Sequence, residues 1–161
     1  MRIAIVSDTH MPRGARAVPD ACVEAMRAAD LIVHAGDLSS MDVLEWMETL
    51  GPPVTAIHGN VDSPEVRERL PETLEFTADG HRIAVIHDAG PAKGRLKRMR
   101  LRFPEAEAVI FGHSHLPLHE GSDGFQIFNP GSPTERRRSP RHSFGIADAD
   151  ESLSFRHVWL G

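Results

Sequence analysis

The stretch IAIVSDTH at residues 3–10 decides the fold, because an apolar run ends there in Asp and His. Four later stretches repeat this arrangement: LIVHAGD at 31–37, VTAIHGN at 54–60, IAVIHD at 83–88 and VIFGHSH at 109–115. The apolar part of each stretch is typical of a buried strand. Binding sites in open α/β sheets lie where such strands end. The sequence therefore predicts a site along that edge.

The side chains that follow these strands are of types that bind metal ions: Asp8, His10, Asp37, Asn60, His87, His113 and His115. They are more than one ion normally takes from a protein, so we expect two ions. Two pairs, at positions 8 and 10 and at 113 and 115, have a spacing that would point both members the same way in an extended chain. Oxygen and imidazole together suit manganese, iron, zinc or cobalt. Cys22 is too isolated to take part.

These motifs together resemble those of the calcineurin-like metallophosphoesterases. The matching residues are DTH at 8–10, GD at 36–37, GN at 59–60, His87 and GHSH at 112–115, in family order from the first residues to about residue 132. The short length and NPGS at 129–132 resemble the small bacterial and archaeal phosphodiesterase branch. That branch includes a eukaryotic retromer subunit that keeps the fold as a scaffold. NPGS forms a turn by its composition, and a role in shaping the site is implied by the resemblance alone.

The resemblance implies which residues hold each metal ion. Asp8, His10, Asp37 and His115 would hold one, and Asp37, Asn60, His87 and His113 would hold the other. Asp37 would then bridge the two ions, and a hydroxide shared between them would attack phosphorus in line. Asp37, Asn60 and His87 are the implied catalytic residues. Manganese is the expected metal, with zinc, iron, nickel or cobalt as alternatives.

One departure from the family pattern affects the chemistry. Many relatives carry a histidine that protonates the leaving oxygen or stabilises the phosphoryl charge, and this chain has Val61 at that place. His58, Asn60 and Asp62 are predicted to face the substrate. For Asp62 the alternative is that it caps a turn or fixes a loop, and for His58 that it packs on a neighbour. His34 is predicted either to orient a ligand or to be a satisfied buried histidine.

The remaining pattern predicts an α/β fold with two sheets in a β-sandwich flanked by helices, in four layers α/β/β/α, as the resemblance also implies. Apolar stripes at helical spacing lie within 18–29, 43–50, 63–70 and 96–103. Strand patterns follow at 125–128, 143–147 and 153–159. There is no repeat and no convincing linker. We therefore expect a single domain over residues 1–161.

Composition limits the class of protein. A chain of 161 residues with 40% hydrophobic residues can bury a substantial core. One cysteine excludes a disulfide framework, and the first ten residues turn polar too early for a signal peptide or a membrane span. We expect a cytoplasmic protein, and the sequence leaves homo-oligomerisation open.

The formal net charge of −5 gives no general attraction for nucleic acid, although basic residues crowd 93–102 and 136–141. Those clusters could bind RNA or DNA, steer a small phosphate ester, or simply face water. The expected function is a metal-dependent phosphodiesterase acting on a small phosphate ester. The alternatives are a non-catalytic protein-binding scaffold and a nucleic-acid-binding phosphoesterase or nuclease. Because no ligand position is missing, we favour the enzyme.

Overall fold

The computed structural model describes residues 1–11 and 17–161, which form two five-stranded sheets with helices outside. The strands are β1 (Arg2–Val6), β2 (Leu31–His34), β3 (Val54–Ala56), β4 (Thr73–Ala78), β5 (His81–Ile86), β6 (Ala108–Ile110), β7 (Leu118–Ser122), β8 (Phe125–Asn129), β9 (His142–Ala149) and β10 (Leu153–Leu160). The helices are α1 (Asp20–Ala28), α2 (Met41–Glu48), α3 (Pro64–Arg69) and α4 (Arg95–Arg102). Within the described ranges, no helix is long and apolar enough to cross a membrane.

Both sheets are mixed, and their central strands are parallel. The first sheet has the order β10-β9-β1-β2-β3, in which β1, β2 and β3 are parallel and β9 is antiparallel to β1. The second has the order β4-β5-β6-β8-β7, in which β5, β6 and β8 are parallel. The carboxyl ends of the parallel strands in each sheet therefore share one edge, as the sequence predicts for the ligand-type residues.

Alternate residues of the central strands face two apolar layers. Ile3 and Ile5 of β1 lie in the layer between the sheets, together with Ile83 and Val85 of β5. Val6 of β1 instead packs with the helices on the outer face. The four side chains between the sheets are fully buried, and each contributes about 1.5–3 kcal/mol to folding. Burial on both faces explains why these strands read as continuous apolar runs.

The four predicted helices are present and bury their apolar faces. α1 buries Met26 and α2 buries Val43 on the outer face of the first sheet. α4 buries Met99 on the second sheet. Ser63 caps α3, because its Oγ accepts a hydrogen bond from the Val66 N–H at 3.3 Å. Helices on both outer faces complete the predicted four layers.

The pattern of apolar residues does not reveal two of the strands, β4 and β7. Both lie at the edges of the second sheet. Most of their side chains are half-buried or exposed. A strand without a clearly buried face lacks the regular alternation that sequence reasoning needs.

Candidate metal centre

The seven candidate ligands lie in loops just beyond the strands, and five of them have backbones in the left-handed region. β1 ends at Val6 and β6 at Ile110. The φ angles beyond these strands and beyond β2 are 56° at Asp8, 47° at His10, 60° at Asp37, 71° at His113 and 63° at His115. The prediction that an extended chain aligns the paired ligands is therefore wrong. Such conformations are costly for residues other than glycine and cluster at functional sites.

Backbone hydrogen bonds tie the first two ligand loops together. The Asp8 N–H donates to the Gly36 carbonyl, and the His10 N–H donates to the Asp37 carbonyl, both at 3.0 Å. The parallel register of β1 with β2 places these two loops side by side. The costly backbone angles of the ligands are thus stabilised by contacts between the loops.

The first ligand group contains Asp8, His10 and His115, all buried. Asp8 Oδ1 lies 3.5 Å from His115 Nε2 and 3.8 Å from His10 Nε2. The other oxygen of Asp8 accepts hydrogen bonds from Ser7 Oγ at 2.8 Å and from the His113 N–H at 3.0 Å. Among the described residues, Asp8 Oδ1 and His115 Nε2 have no hydrogen-bond partner, although both atoms are buried. A divalent cation would satisfy both atoms, so the donor set fits a metal ion.

The ring orientations of two histidines leave Nε2 available as a ligand atom. His115 Nδ1 donates a hydrogen bond to the Glu135 carbonyl. His87 Nδ1 donates to the Ala35 carbonyl at 2.7 Å. A proton held on Nδ1 leaves a lone pair on Nε2, which is the arrangement common to metal-binding histidines.

The second group contains Asp37, His87 and His113, with Asn60 beside them. Asn60 Oδ1 lies 3.1 Å from His87 Nε2 and 3.2 Å from His113 Nδ1. Asp37 Oδ2 lies 3.1 Å from His87 Nε2 of this group and 3.6 Å from His10 Nε2 of the first group. Its Oδ1 accepts a hydrogen bond from the Val61 N–H at 3.0 Å. Asp37 Oδ2 therefore lies between the two groups.

The electrostatics of the centre favour positive charge. Burial alone would raise the pKa of Asp37, but the hydrogen bond and charge of His87 outweigh it and lower that pKa to about 2. Burial alone would lower the pKa of His87, but the Asp37 and Asp8 carboxylates outweigh it and raise that pKa to about 9. Without a metal, a proton on His87 offsets part of the negative charge. Ligands of this kind exchange a proton for a cation on loading.

Asp62 holds the ligand loops in place and does not face the substrate. Its carboxylate accepts hydrogen bonds from the N–H groups of Asp37 at 3.0 Å, Ser39 at 2.7 Å and Gly59 at 2.6 Å. The residue is only 5% exposed. The prediction that Asp62 binds substrate is corrected, because its carboxylate is buried and takes up three backbone donors. Fixing the loop, the alternative interpretation, is its role.

His34 is a satisfied buried histidine, one of its two predicted interpretations. It is fully buried, and its Nδ1 accepts a hydrogen bond from the Gly36 N–H at 3.1 Å. Its Nε2 then donates to Thr9 Oγ1 at 3.0 Å. Burial lowers the pKa of His34 to about 4, so the ring is neutral. The neutral ring links the loop of Asp37 to the loop between Asp8 and His10.

Two of the three residues predicted to face the substrate, His58 and Asn60, lie on the open side of the centre. A cavity of about 220 Å³ is lined by His58, Asn60 and His87, together with Arg67, Glu72 and Asp88. His58 is half-buried, Asn60 is exposed, and Val61 is 48% exposed. His58 and Asn60 therefore border a space that a phosphate ester can enter.

Three residues after β8 shape the first ligand group, and sequence reasoning missed two of them, Thr134 and Glu135. Ser132 Oγ donates to the Asp8 carbonyl at 2.8 Å, and Thr134 Oγ1 donates to the Thr9 carbonyl at 2.7 Å. Glu135 Oε2 lies 3.8 Å from His10 Nε2. The NPGS motif pointed to Ser132. No sequence signal pointed to Glu135, because it is 125 positions from His10 in the chain.

At two positions of the motifs only glycine fits, because the side chains of other residues pass very close to its Cα. A Cβ at Gly59 would overlap the Asp37 carboxylate. A Cβ at Gly112 would overlap the side chains of Ser7 and Asp8. The glycines of GN and GHSH thus let one ligand loop pass directly against the carboxylate of another.

Three of the six basic residues within 93–102 donate hydrogen bonds to backbone carbonyls of neighbouring segments. Arg95 Nη2 donates to the Gly90 carbonyl at 2.9 Å, and Arg98 Nη2 donates to the Ala89 carbonyl at 2.7 Å. Arg100 donates to the Ser122 carbonyl. These arginines join α4 to the loop that precedes it and to the β7–β8 turn.

Comparisons with known proteins agree with this geometry. The family described as the calcineurin-like phosphoesterase superfamily domain matches residues 1–152. A probable metallophosphoesterase of Methanothermobacter thermautotrophicus is 37% identical over 139 residues, which are 85% of this chain and 80% of the relative. A phosphodiesterase of Methanocaldococcus jannaschii is 26% identical over 152 residues, 81% of this chain and 83% of the relative.

The same architecture is present in solved structures. Vps29 of Entamoeba histolytica in complex with zinc superposes with a TM-score of 0.78 at 20% identity, covering 99% of both chains. At that identity the likeness concerns the fold alone. The match over residues 1–152 and the 37% identical relative show that this chain belongs to the calcineurin-like phosphoesterase superfamily.

Proposed function

We propose that the protein is a phosphodiesterase that depends on two divalent metal ions. The observation that carries the proposal is the pair of ligand groups with Asp37 Oδ2 between them, 3.1 Å from His87 Nε2 and 3.6 Å from His10 Nε2. The buried atoms Asp8 Oδ1 and His115 Nε2 support it, because a cation would satisfy both. The relative from Methanocaldococcus jannaschii, named a phosphodiesterase, supports the choice of diesters.

The residues of each group have distinct roles in this proposal. Asp8, His10 and His115 hold one ion, Asn60, His87 and His113 hold the other, and Asp37 holds both. The chemistry that such a pair supplies is a solvent nucleophile at neutral pH and neutralisation of the phosphoryl charge. The exposed amide of Asn60 also lies where it can orient the phosphoryl group.

Proton transfer to the leaving group is weak in this proposal. Val61 can neither donate nor accept a proton, so departure depends on leaving groups that are stable as anions. His58 lines the cavity beside Asn60 and is the nearest candidate for a proton donor. Diesters with acidic leaving groups are therefore the preferred substrates.

Manganese is the metal that we propose, because oxygen ligands are mixed with imidazole and the second group opens to the cavity. Zinc is the first alternative, since the Vps29 neighbour was solved with zinc. Iron, nickel and cobalt fit the same donor types.

A protein-binding scaffold is the second candidate, favoured by the similarity of fold to Vps29. A scaffold has no need of five ligands in left-handed conformations. Strain of that kind persists where surrounding contacts enforce it, commonly for function. We therefore rank the enzyme first.

The test is to strip the protein of metal and reload it separately with manganese, zinc, iron, nickel and cobalt. We expect hydrolysis of bis(p-nitrophenyl) phosphate to exceed that of p-nitrophenyl phosphate, with manganese giving the highest rate. The Asp37→Asn variant, carried through the same steps, controls for contaminating phosphatases. A fully loaded protein that hydrolyses neither ester would favour the scaffold.

A further inference from the structure

A second groove opens from the metal centre on the side of the NPGS turn. It has a volume of about 450 Å³ and is lined by His113, Ser114, Leu116, Arg137 and Arg138. His113 belongs to the second ligand group, so the groove leads directly to the centre. Both arginines are exposed, and Leu116 is 41% exposed. The groove thus combines two guanidinium groups with an apolar surface.

The chain that carries the two arginines is fastened to the ligand loops. Ser132 Oγ donates to the Asp8 carbonyl and Thr134 Oγ1 donates to the Thr9 carbonyl, at 2.8 and 2.7 Å. The Glu135 carbonyl accepts a hydrogen bond from His115 Nδ1. Arg137, two residues further on, therefore has a defined position relative to the metal ligands.

The backbone of Arg137 is itself in a costly conformation. Its φ angle is 48°, in the left-handed region that favours glycine. The Ser139 N–H donates to the Arg136 carbonyl at 2.9 Å and closes the turn around it. Non-glycine residues keep such angles where the surrounding contacts enforce them, often at binding sites. The turn presents the side chain of Arg137 to the groove.

The two sides of the metal centre differ in charge. The groove has two arginines and no acidic residue among its lining residues in the described chain. The cavity on the other side is lined by Glu72 and Asp88 as well as Arg67. A diester has two substituents, and this asymmetry favours the anionic one in the groove.

We propose that the groove binds a further phosphate group on one substituent of the diester, so that the preferred substrates are diesters carrying a second phosphate beside the scissile one. This inference rests on the proposed function. Planar guanidinium groups bind phosphate through paired hydrogen bonds, and Leu116 offers a surface to the connecting sugar or ring. The neutral substituent then leaves through the cavity of His58.

The test uses two chromogenic diesters that release the same nitrophenolate when water adds to phosphorus. They are the p-nitrophenyl ester of thymidine 5′-phosphate and the same compound with a 3′-phosphate. For the wild type we expect the 3′-phosphate to raise kcat/KM about 10-fold. In Arg137→Ala/Arg138→Ala the ratio of kcat/KM with the 3′-phosphate to kcat/KM without it should fall to near one. Lys93→Ala/Lys97→Ala removes the same charge from the other basic cluster and should keep the ratio.

Three results would overturn the inference: a wild-type ratio near one, a ratio retained in the arginine variant, or an equal loss in the lysine control. The last would mean that overall charge, and not the groove, attracts the substrate. If the loaded wild type hydrolyses neither diester, the proposed function fails and the groove is judged by calorimetry with thymidine 3′,5′-bisphosphate. Binding about 10-fold weaker in the arginine variant than in the wild type and the lysine control would support the groove, and equal binding would refute it.

Discussion

The two halves of the metal centre differ in their access to solvent. Asp8, His10 and His115 of the first half are at most 5% exposed. In the second half the side chain of His113 is 42% exposed and Asn60 is exposed. The first half is covered by the segment that follows β8, whereas the second borders an open cavity. Under the proposed function, the buried half would hold its ion firmly and the open half would meet the substrate.

The largest effect is expected from changing Asp37, the residue that lies between the two halves. Asp37→Asn should lower kcat/KM by more than about 100-fold, because changes even to residues that only support metal ligands cost 10–100-fold. The measurements are turnover and metal content by mass spectrometry. Asp42→Asn changes an exposed acid of α2 and serves as the matched control. An Asp37→Asn protein with two ions and near-normal turnover would exclude the bridging role.

The role of the open half in catalysis can be tested by placing a proton donor at position 61. Val61→His should improve diesters with poor leaving groups by up to about 100-fold, since general acid catalysis contributes that much when the group is well placed. Val61→Asn, polar but unable to give a proton, is the control. The measurement is the dependence of rate on leaving-group pKa. If the plots of rate against leaving-group pKa had the same slope for the wild type and Val61→His, position 61 would take no part in protonating the leaving group. His58 would then be the candidate proton donor.

The stability of the buried half should depend on the segment after β8 that covers it. Ser132→Ala removes the hydrogen bond to the Asp8 carbonyl and the acceptor of the Thr134 and Glu135 N–H groups. We expect a loss of about 1–3 kcal/mol in the free energy of unfolding, because buried polar groups lose their partners. Chemical denaturation measures it.

Ser122→Ala, at an exposed position on β7, is the control for Ser132→Ala and should change stability by less than about 0.5 kcal/mol. Equal stability of the two variants would mean that the segment after β8 does not support the buried half.

The contrast between buried and exposed parts of the molecule also explains how much of the fold could be predicted from the sequence. The strands around Ile5 and Val85 are buried on both faces, so their sequence alone identifies them and the edge where the ligands follow. The strands β4 and β7 lie at sheet edges and lack that signal. The fold class and the helices could therefore be predicted, and β4 and β7 could not.

Within the site, the sequence could predict which residues come together, but not the way they are held. Asp62 is acidic and adjacent to the GN motif, and only the structure assigns its oxygens to backbone N–H groups. Glu135 approaches His10 through tertiary packing, for which one sequence carries no local pattern. The left-handed angle at Asp8 likewise depends on contacts with a second loop.

The most direct test of the two-halved centre is a crystal structure of the reloaded protein with anomalous scattering at the metal edge. We expect two peaks per chain, one beside Asp8 and His115 and one beside Asn60 and His87, with Asp37 between them. In His113→Ala the peak beside Asp8 should remain while the other weakens. A single peak in the wild type, or the loss of the Asp8 peak in His113→Ala, would contradict the account.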